Sequence, residues 1–178
     1  MSAIQIKDLT FVPYINEIEL QEAINNVAQK INSDYKDKEI LFVGVLNGVF
    51  MFASDLLKRI DLKCRISFVK LSSYNGTQST ETVKELFGLS ESVEGKHVIL
   101  LKDIVDTGIT IDGLYNDLLK QNPASLEICA LLFKPDKYTK DVPIKYIAKS
   151  VPNEFVVGFG LDYDGYGRNI PMIYQMKP

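Results

Sequence analysis

Two aspartates, Asp103 and Asp106, stand beside a hydroxyl-rich glycine turn, Thr107-Gly108-Ile109-Thr110, which points to phosphate chemistry next to carboxylates. Backbone N–H groups at a helix start, at the positive end of the macrodipole, make an anion cradle. Gly108 lets the chain approach closely, and Thr107 and Thr110 add hydroxyl donors. The acids would repel a bare phosphate. A divalent cation, ribose hydroxyls or developing positive charge on a substrate each reconciles them, and a sugar phosphate presents all three. The competing reading is an ordinary helix start capped by Asp106 or Thr107, with nothing bound. The second acid and the apolar run upstream weigh against it.

Positioning such a turn requires a strand before it and a helix after it. Residues 98–101 are a continuous apolar run, the mark of a strand covered on both faces. Ile111, Leu114, Tyr115, Leu118 and Leu119 recur at helical spacing through Lys120, and the helix must stop before Asn122-Pro123. Upstream, Leu20, Ala23, Ile24, Val27, Ala28 and Ile31 give another helical stripe, with Glu17 and Glu19 near its start. Residues 40–46 predict a buried strand, Asn47-Gly48 a turn, and residues 49–57 a helix with Phe50, Ala53 and Leu57 on one side. Residues 65–71, 126–133, 145–148 and 155–159 read as further strands. Residues 72–82 are polar with almost no apolar anchors, so a mobile loop is expected there. The alternation predicts an α/β fold: a mostly parallel sheet, helices on both faces, and ligands at the strands' carboxyl ends.

A chain of 178 residues, 46% hydrophobic, suits one core, and residues 1–178 read as a single domain without internal repeats. No apolar stretch approaches the roughly 18 residues of a bilayer span, and residues 1–14 lack the pattern of a signal peptide. A cytoplasmic protein without membrane contact is expected. The net charge of -3 and a pI near 5.2 argue against a nucleic-acid surface. Cys64 and Cys129 lie in apolar runs without metal-ligand spacing and read as reduced core residues. His97, the sole histidine, reads as structural.

Residues 102–110 resemble the phosphoribosyl pyrophosphate signature of type I phosphoribosyltransferases, in particular the hypoxanthine-guanine branch. The resemblance covers nearly the whole chain. Val43-Gly44-Val45-Leu46-Asn47-Gly48 is similar to the loop after the first core strand and Ser72-Ser73-Tyr74 to a lid. Lys134-Pro135 is similar to the purine-reading lysine, and Phe155-Val156-Val157-Gly158 with Leu161-Asp162-Tyr163 to the base pocket. The resemblance implies the type I phosphoribosyltransferase fold, with a small hood and a flexible lid over about residues 72–82. It implies transfer of the phosphoribosyl group from phosphoribosyl pyrophosphate to hypoxanthine and guanine, with magnesium, in a homodimer or homotetramer. Residues 106–110, Ile109 included, would cradle the ribose phosphate, Asp106 would act as general acid/base at the purine N7, and Asp103 would accept from a ribose hydroxyl. Lys134 would donate to the purine's exocyclic oxygen and select 6-oxopurines. Phe155 would stack on the base, with the Val156 backbone reading its edge. Asn47, Gly48, Ser73, Tyr74 and Arg168 would contact pyrophosphate, and Asp162 would bind magnesium. Asp164 reads as a turn residue.

Two departures from the family pattern stand out. Lys102 replaces the first of a pair of acids, and Asn47 stands where many relatives carry lysine. Lys102 cannot accept a hydrogen bond from ribose. The resemblance also admits a cis Leu46–Asn47 peptide. A xanthine-preferring enzyme and a non-catalytic nucleotide-sensing regulator of the same fold are the alternatives, the second raised mainly by Lys102.

Overall fold

The computed structural model describes residues 2–70 and 88–177. Its centre is a parallel sheet of β3 (Ile40–Leu46), β4 (Cys64–Lys70), β5 (His97–Val105), β6 (Ser125–Phe133) and β7 (Tyr146–Ser150), ordered β4-β3-β5-β6-β7. Helices α1 (Glu17–Asp34) and α2 (Phe50–Leu57) cover one face, and α3 (Ile109–Leu119) covers the other. Alternate side chains of each strand go to opposite layers. Ile40, Phe42, Ile99, Leu101, Cys129 and Leu131 meet α1 and α2, while Leu41, Val43, Val98, Leu100, Ile128 and Ala130 meet α3. Burial on both faces is why these strands read as unbroken apolar runs.

Helix α1 starts where Asn16 Oδ1 accepts from the Glu19 N–H at 3.0 Å, and it buries Leu20, Ile24, Val27, Ala28 and Ile31. The chain places β4 to one side of β3 and β5 to the other, so the direction of winding reverses between β3 and β5. At such a switch point the two outgoing loops part and leave a crevice at the carboxyl edge. Those loops carry Asn47-Gly48 and residues 106–110.

A second sheet, ordered β1-β2-β9-β8, joins β1 (Ile4–Ile6) and β2 (Leu9–Ile15) to β8 (Val156–Val157) and β9 (Ile173–Met176), all antiparallel. This is the hood, with Phe11, Val157, Met172 and Tyr174 in its own small core.

Several expectations shift. The α2 stripe is Phe52, Ala53 and Leu56 rather than Phe50, Ala53 and Leu57, and Phe50 is 43% exposed. The helix is apolar nearly throughout, so its periodicity singles out no one face. Strand β5 runs through Val105 and contains Asp103, and α3 begins at Ile109, two residues early. The strand expected over residues 155–159 shrinks to Val156–Val157, because Gly158, Phe159 and Gly160 take positive φ and leave the extended region. The strand near residue 146 ends at Ser150, not Ala148. Residues 72–82, with Ser73 and Tyr74, lie outside the described residues.

Cys129 is buried and Cys64 half-buried, both free thiols. His97 Nδ1 lies 2.8 Å from Ser125 Oγ and its ring stands edge-on to Tyr35, a structural setting. Asp164, at φ 50°, is an exposed turn residue ion-paired with Lys7.

Candidate active site

Strands β3, β5 and β6 end side by side, so the residues that follow them converge at one edge of the sheet. The peptide between Leu46 and Asn47 is cis. Gly48 then presses on Asp103: a Cβ at Gly48 would sit 1.6 Å from Asp103 Oδ2. Gly48 also meets the hood segment, since a Cβ at Gly160 would lie 2.0 Å from the Gly48 carbonyl oxygen. Asp103 is only 7% exposed, and its Oδ1 is ion-paired with the Lys102 ammonium.

Beyond β5 the chain turns at Gly108, whose φ of 86° is a left-handed conformation that glycine adopts without penalty. Close packing also requires it, because a Cβ there would stand 2.4 Å from the Tyr138 ring. No side chain caps α3, so neither Asp106 nor Thr107 serves as the ordinary cap, and the helix's leading N–H groups face the crevice's edge unclaimed by a cap. The Thr107 carbonyl accepts from the Thr139 backbone N–H at 3.3 Å and from its hydroxyl at 3.2 Å, pinning the loop to the segment after β6.

That segment begins with Lys134, whose N–H donates to the Val105 carbonyl at 3.0 Å. Lys134 is 6% exposed, an unusual burial for lysine, and its Nζ stands 3.5 Å from Asp106 Oδ2. A single 3-10 turn, Pro135–Lys137, follows and brings Lys137 Nζ to 3.5 Å from the same oxygen. Residues three apart eclipse on a 3-10 turn, which is how one carboxylate oxygen collects two ammonium groups. The other oxygen, Asp106 Oδ1, is buried without a hydrogen-bond partner among the described residues. Leaving a carboxylate oxygen in that state is costly unless something else supplies a donor.

On the hood side, Phe155 is 41% exposed and stands edge-on to Tyr163, with ring centroids 5.9 Å apart, and 6.1 Å from Phe11. A plain core aromatic would be covered; Phe155 is not. Val156 is paired opposite Gln175 in the hood sheet. Asp162 and Arg168 are partners to each other, Nη2 to Oδ1 at 2.7 Å. Arg168 Nη1 also donates to the Gly160 carbonyl at 2.7 Å, and the Gly165 N–H donates to Asp162 Oδ2 at 2.7 Å.

The geometry thus packs Gly48 on Asp103, pairs Lys134 with Asp106 and sets Gly108 against Tyr138. Lys137, Tyr138 and Gly160 were missed from sequence. The Lys-Pro-x-Lys spacing of residues 134–137 was the available signal for Lys137. Nothing local marks Tyr138 or Gly160, whose roles come from packing between distant segments.

The chain is similar to known proteins over most of its length. The phosphoribosyl transferase domain family matches residues 16–164. The hypoxanthine-guanine phosphoribosyltransferase of Staphylococcus epidermidis is 42% identical over 172 residues, 96% of each chain. Among solved structures, a hypoxanthine phosphoribosyltransferase from Staphylococcus aureus superposes with a TM-score of 0.85 at 39% identity, covering 94% of this chain and 91% of that one. The hypoxanthine phosphoribosyl transferase of Trypanosoma cruzi gives 0.88 at 31% identity, covering 98% and 95%.

Proposed function

The chain belongs to the phosphoribosyl transferase family, and we propose from that premise that it is a purine salvage enzyme. It transfers the phosphoribosyl group of phosphoribosyl pyrophosphate to hypoxanthine or guanine, giving the nucleoside monophosphate and pyrophosphate. The carrying observation is the 3.5 Å separation of Lys134 Nζ from Asp106 Oδ2. The N7 and the exocyclic oxygen of a 6-oxopurine lie side by side on one edge. An ammonium donor next to a carboxylate matches that edge, whereas adenine's amino group would meet the ammonium donor against donor.

In the reaction, the bond from the anomeric carbon to diphosphate oxygen breaks as a purine nitrogen bonds to that carbon. Asp106 takes the proton that N7 gives up, and as an anion it stabilises the oxocarbenium-like charge. The leading N–H groups of α3 with Thr107 and Thr110 hold the ribose phosphate, and Asp103 accepts from a ribose hydroxyl. Phe155 stacks on the base, Val156 reads its edge, and the Asn47-Gly48 backbone and Arg168 take the pyrophosphate.

Among the described residues there is no group of three metal-ligating side chains. This donor set suits magnesium, which usually binds through one or two carboxylates plus substrate phosphate oxygens. Asp162 would hold it, each carboxylate oxygen keeping a lone pair beyond its present partner. Bound there, magnesium would supply positive charge beside the diphosphate oxygens. We place the enzyme in the cytoplasm as a homodimer or homotetramer; no helix among the described residues is long and apolar enough to cross a membrane.

No structural observation favours the xanthine-preferring or sensing alternatives. The test is pyrophosphate release with magnesium and phosphoribosyl pyrophosphate, adding hypoxanthine, guanine, xanthine or adenine separately. Turnover confined to hypoxanthine and guanine is expected, and a Lys134→Met variant should lose most of it. No turnover with any base in folded protein overturns the enzyme reading.

A further inference from the structure

Lys102 is the residue for which the phosphoribosyl-transfer reading, on which this inference rests, has no established use. It lies in the carboxyl-terminal half of β5, three residues before the strand ends, its side chain is 19% exposed, and its ammonium meets Asp103 Oδ1. The opposite oxygen of that carboxylate faces Gly48, so Asp103 is held between the β3–α2 loop and Lys102. Covering a long charged side chain costs rotamer entropy and hydration. A single acceptor uses one of the ammonium's three donors and leaves two for other acceptors.

The local charge explains what those donors can do. Lys102, Lys134 and Lys137 contact Asp103 and Asp106, three positive charges against two negative, a balance of +1 in a chain whose net charge is -3. An acid at position 102 would turn this group to -1, two positive against three negative. The site therefore attracts an anion by its own residues, before any cation arrives with the substrate.

We propose that Lys102 is a substrate-binding residue: its ammonium takes a phosphate oxygen of phosphoribosyl pyrophosphate while Asp103, held in place by the same contact, accepts from a ribose hydroxyl. The oxygen belongs to the diphosphate or to the 5-phosphate, and the two are separable with partial ligands.

The experiment is calorimetric binding of inorganic pyrophosphate and of ribose 5-phosphate to wild type, Lys102→Gln and Lys102→Arg, each with magnesium and with chelator. Lys102→Gln should weaken one of the two ligands roughly 10- to 100-fold, the cost of a hydrogen bond to a charged group. That ligand identifies the end bound. Lys102→Arg should restore most of the affinity, and the loss should persist in chelator. Steady-state kinetics should show the KM for phosphoribosyl pyrophosphate rising more than kcat falls, with the KM for hypoxanthine unchanged. A second pair, Asp103→Asn with and without Lys102→Gln, separates binding from support. If Lys102 only neutralises Asp103, adding Lys102→Gln to Asp103→Asn changes neither affinity, and the proposal fails. It also fails if Lys102→Gln binds both ligands as wild type does. Either result leaves the enzyme reading intact provided wild type turns over hypoxanthine; absence of that turnover is the separate failure of the reading itself.

Discussion

Gly48 lies flush against the carboxylate of Asp103, close enough that a methyl group on Gly48 would overlap Asp103 Oδ2. The contact is one of space and not of backbone conformation. Asp103 is buried and ion-paired, so it has little room to swing aside. Gly48→Ala should cost about 1–3 kcal/mol of stability, the usual penalty of overpacking, and raise the KM for phosphoribosyl pyrophosphate. Thermal unfolding with initial-rate kinetics checks this. Wild-type values for both would mean that the β3–α2 loop slides away freely.

Asp106→Asn should lower kcat about 10²- to 10⁴-fold, the usual contribution of a positioned acid/base group, while product nucleotide binding survives. Lys134 and Lys137 would lose a shared counter-ion but keep their donors for the ligand. Single-turnover kinetics and a nucleotide titration separate the two effects. A variant with unchanged kcat removes Asp106 from proton transfer.

The two thiols should behave differently. Burial raises both above the ordinary thiol value, Cys129 far more, since it is fully enclosed between the sheet and α1 with α2. In native protein a disulfide reagent should modify Cys64 slowly and leave Cys129 untouched, and both should react at once in denaturant. Two fast thiols in the native state would contradict the packing of β6.

Glu91 links the stability of the fold to pH. The hydrogen bond from Lys96 holds its carboxyl below the ordinary value of 4.5 against the opposing effect of burial, and the charges of Arg65 and Lys96 add to it. A group whose folded pKa is depressed stabilises above its unfolded value, and that contribution fades as pH falls through the lowered folded value. Wild type should therefore lose Tm on acidification more steeply than Glu91→Gln, the two curves approaching each other at low pH. Calorimetry across the acid range reads this directly, and parallel curves would show that the pair contributes nothing.

The parallel core was legible because its strands are buried on both faces, so apolar runs such as residues 40–46 and 126–133 announce themselves. The turn at Gly108 was legible for a local reason too: strand, acids, hydroxyls and helix follow one another without interruption. The hood was not. In β2, Phe11 and Ile15 point inward, but Pro13 breaks the alternation and coincides with a register shift, so the segment does not read as a strand. Strand β9 pairs with residues more than 150 positions earlier, which no local pattern encodes. The same limit hid the Asp162–Arg168 pair. Both residues stood out by type, yet their contact depends on turns built from Gly158, Phe159, Gly160 and Gly165.

The place of β9 between β2 and β8 orders events during synthesis. Everything from α1 to β7 can assemble from contacts already present in the emerging chain, sheet and helices together. Strand β8, where the base is proposed to be read, waits for a partner made later, because Val156 and Val157 have no strand to pair with until residues 173–176 arrive. A ribosome-bound chain can thus carry the folded turn between β5 and α3 and still lack a finished hood.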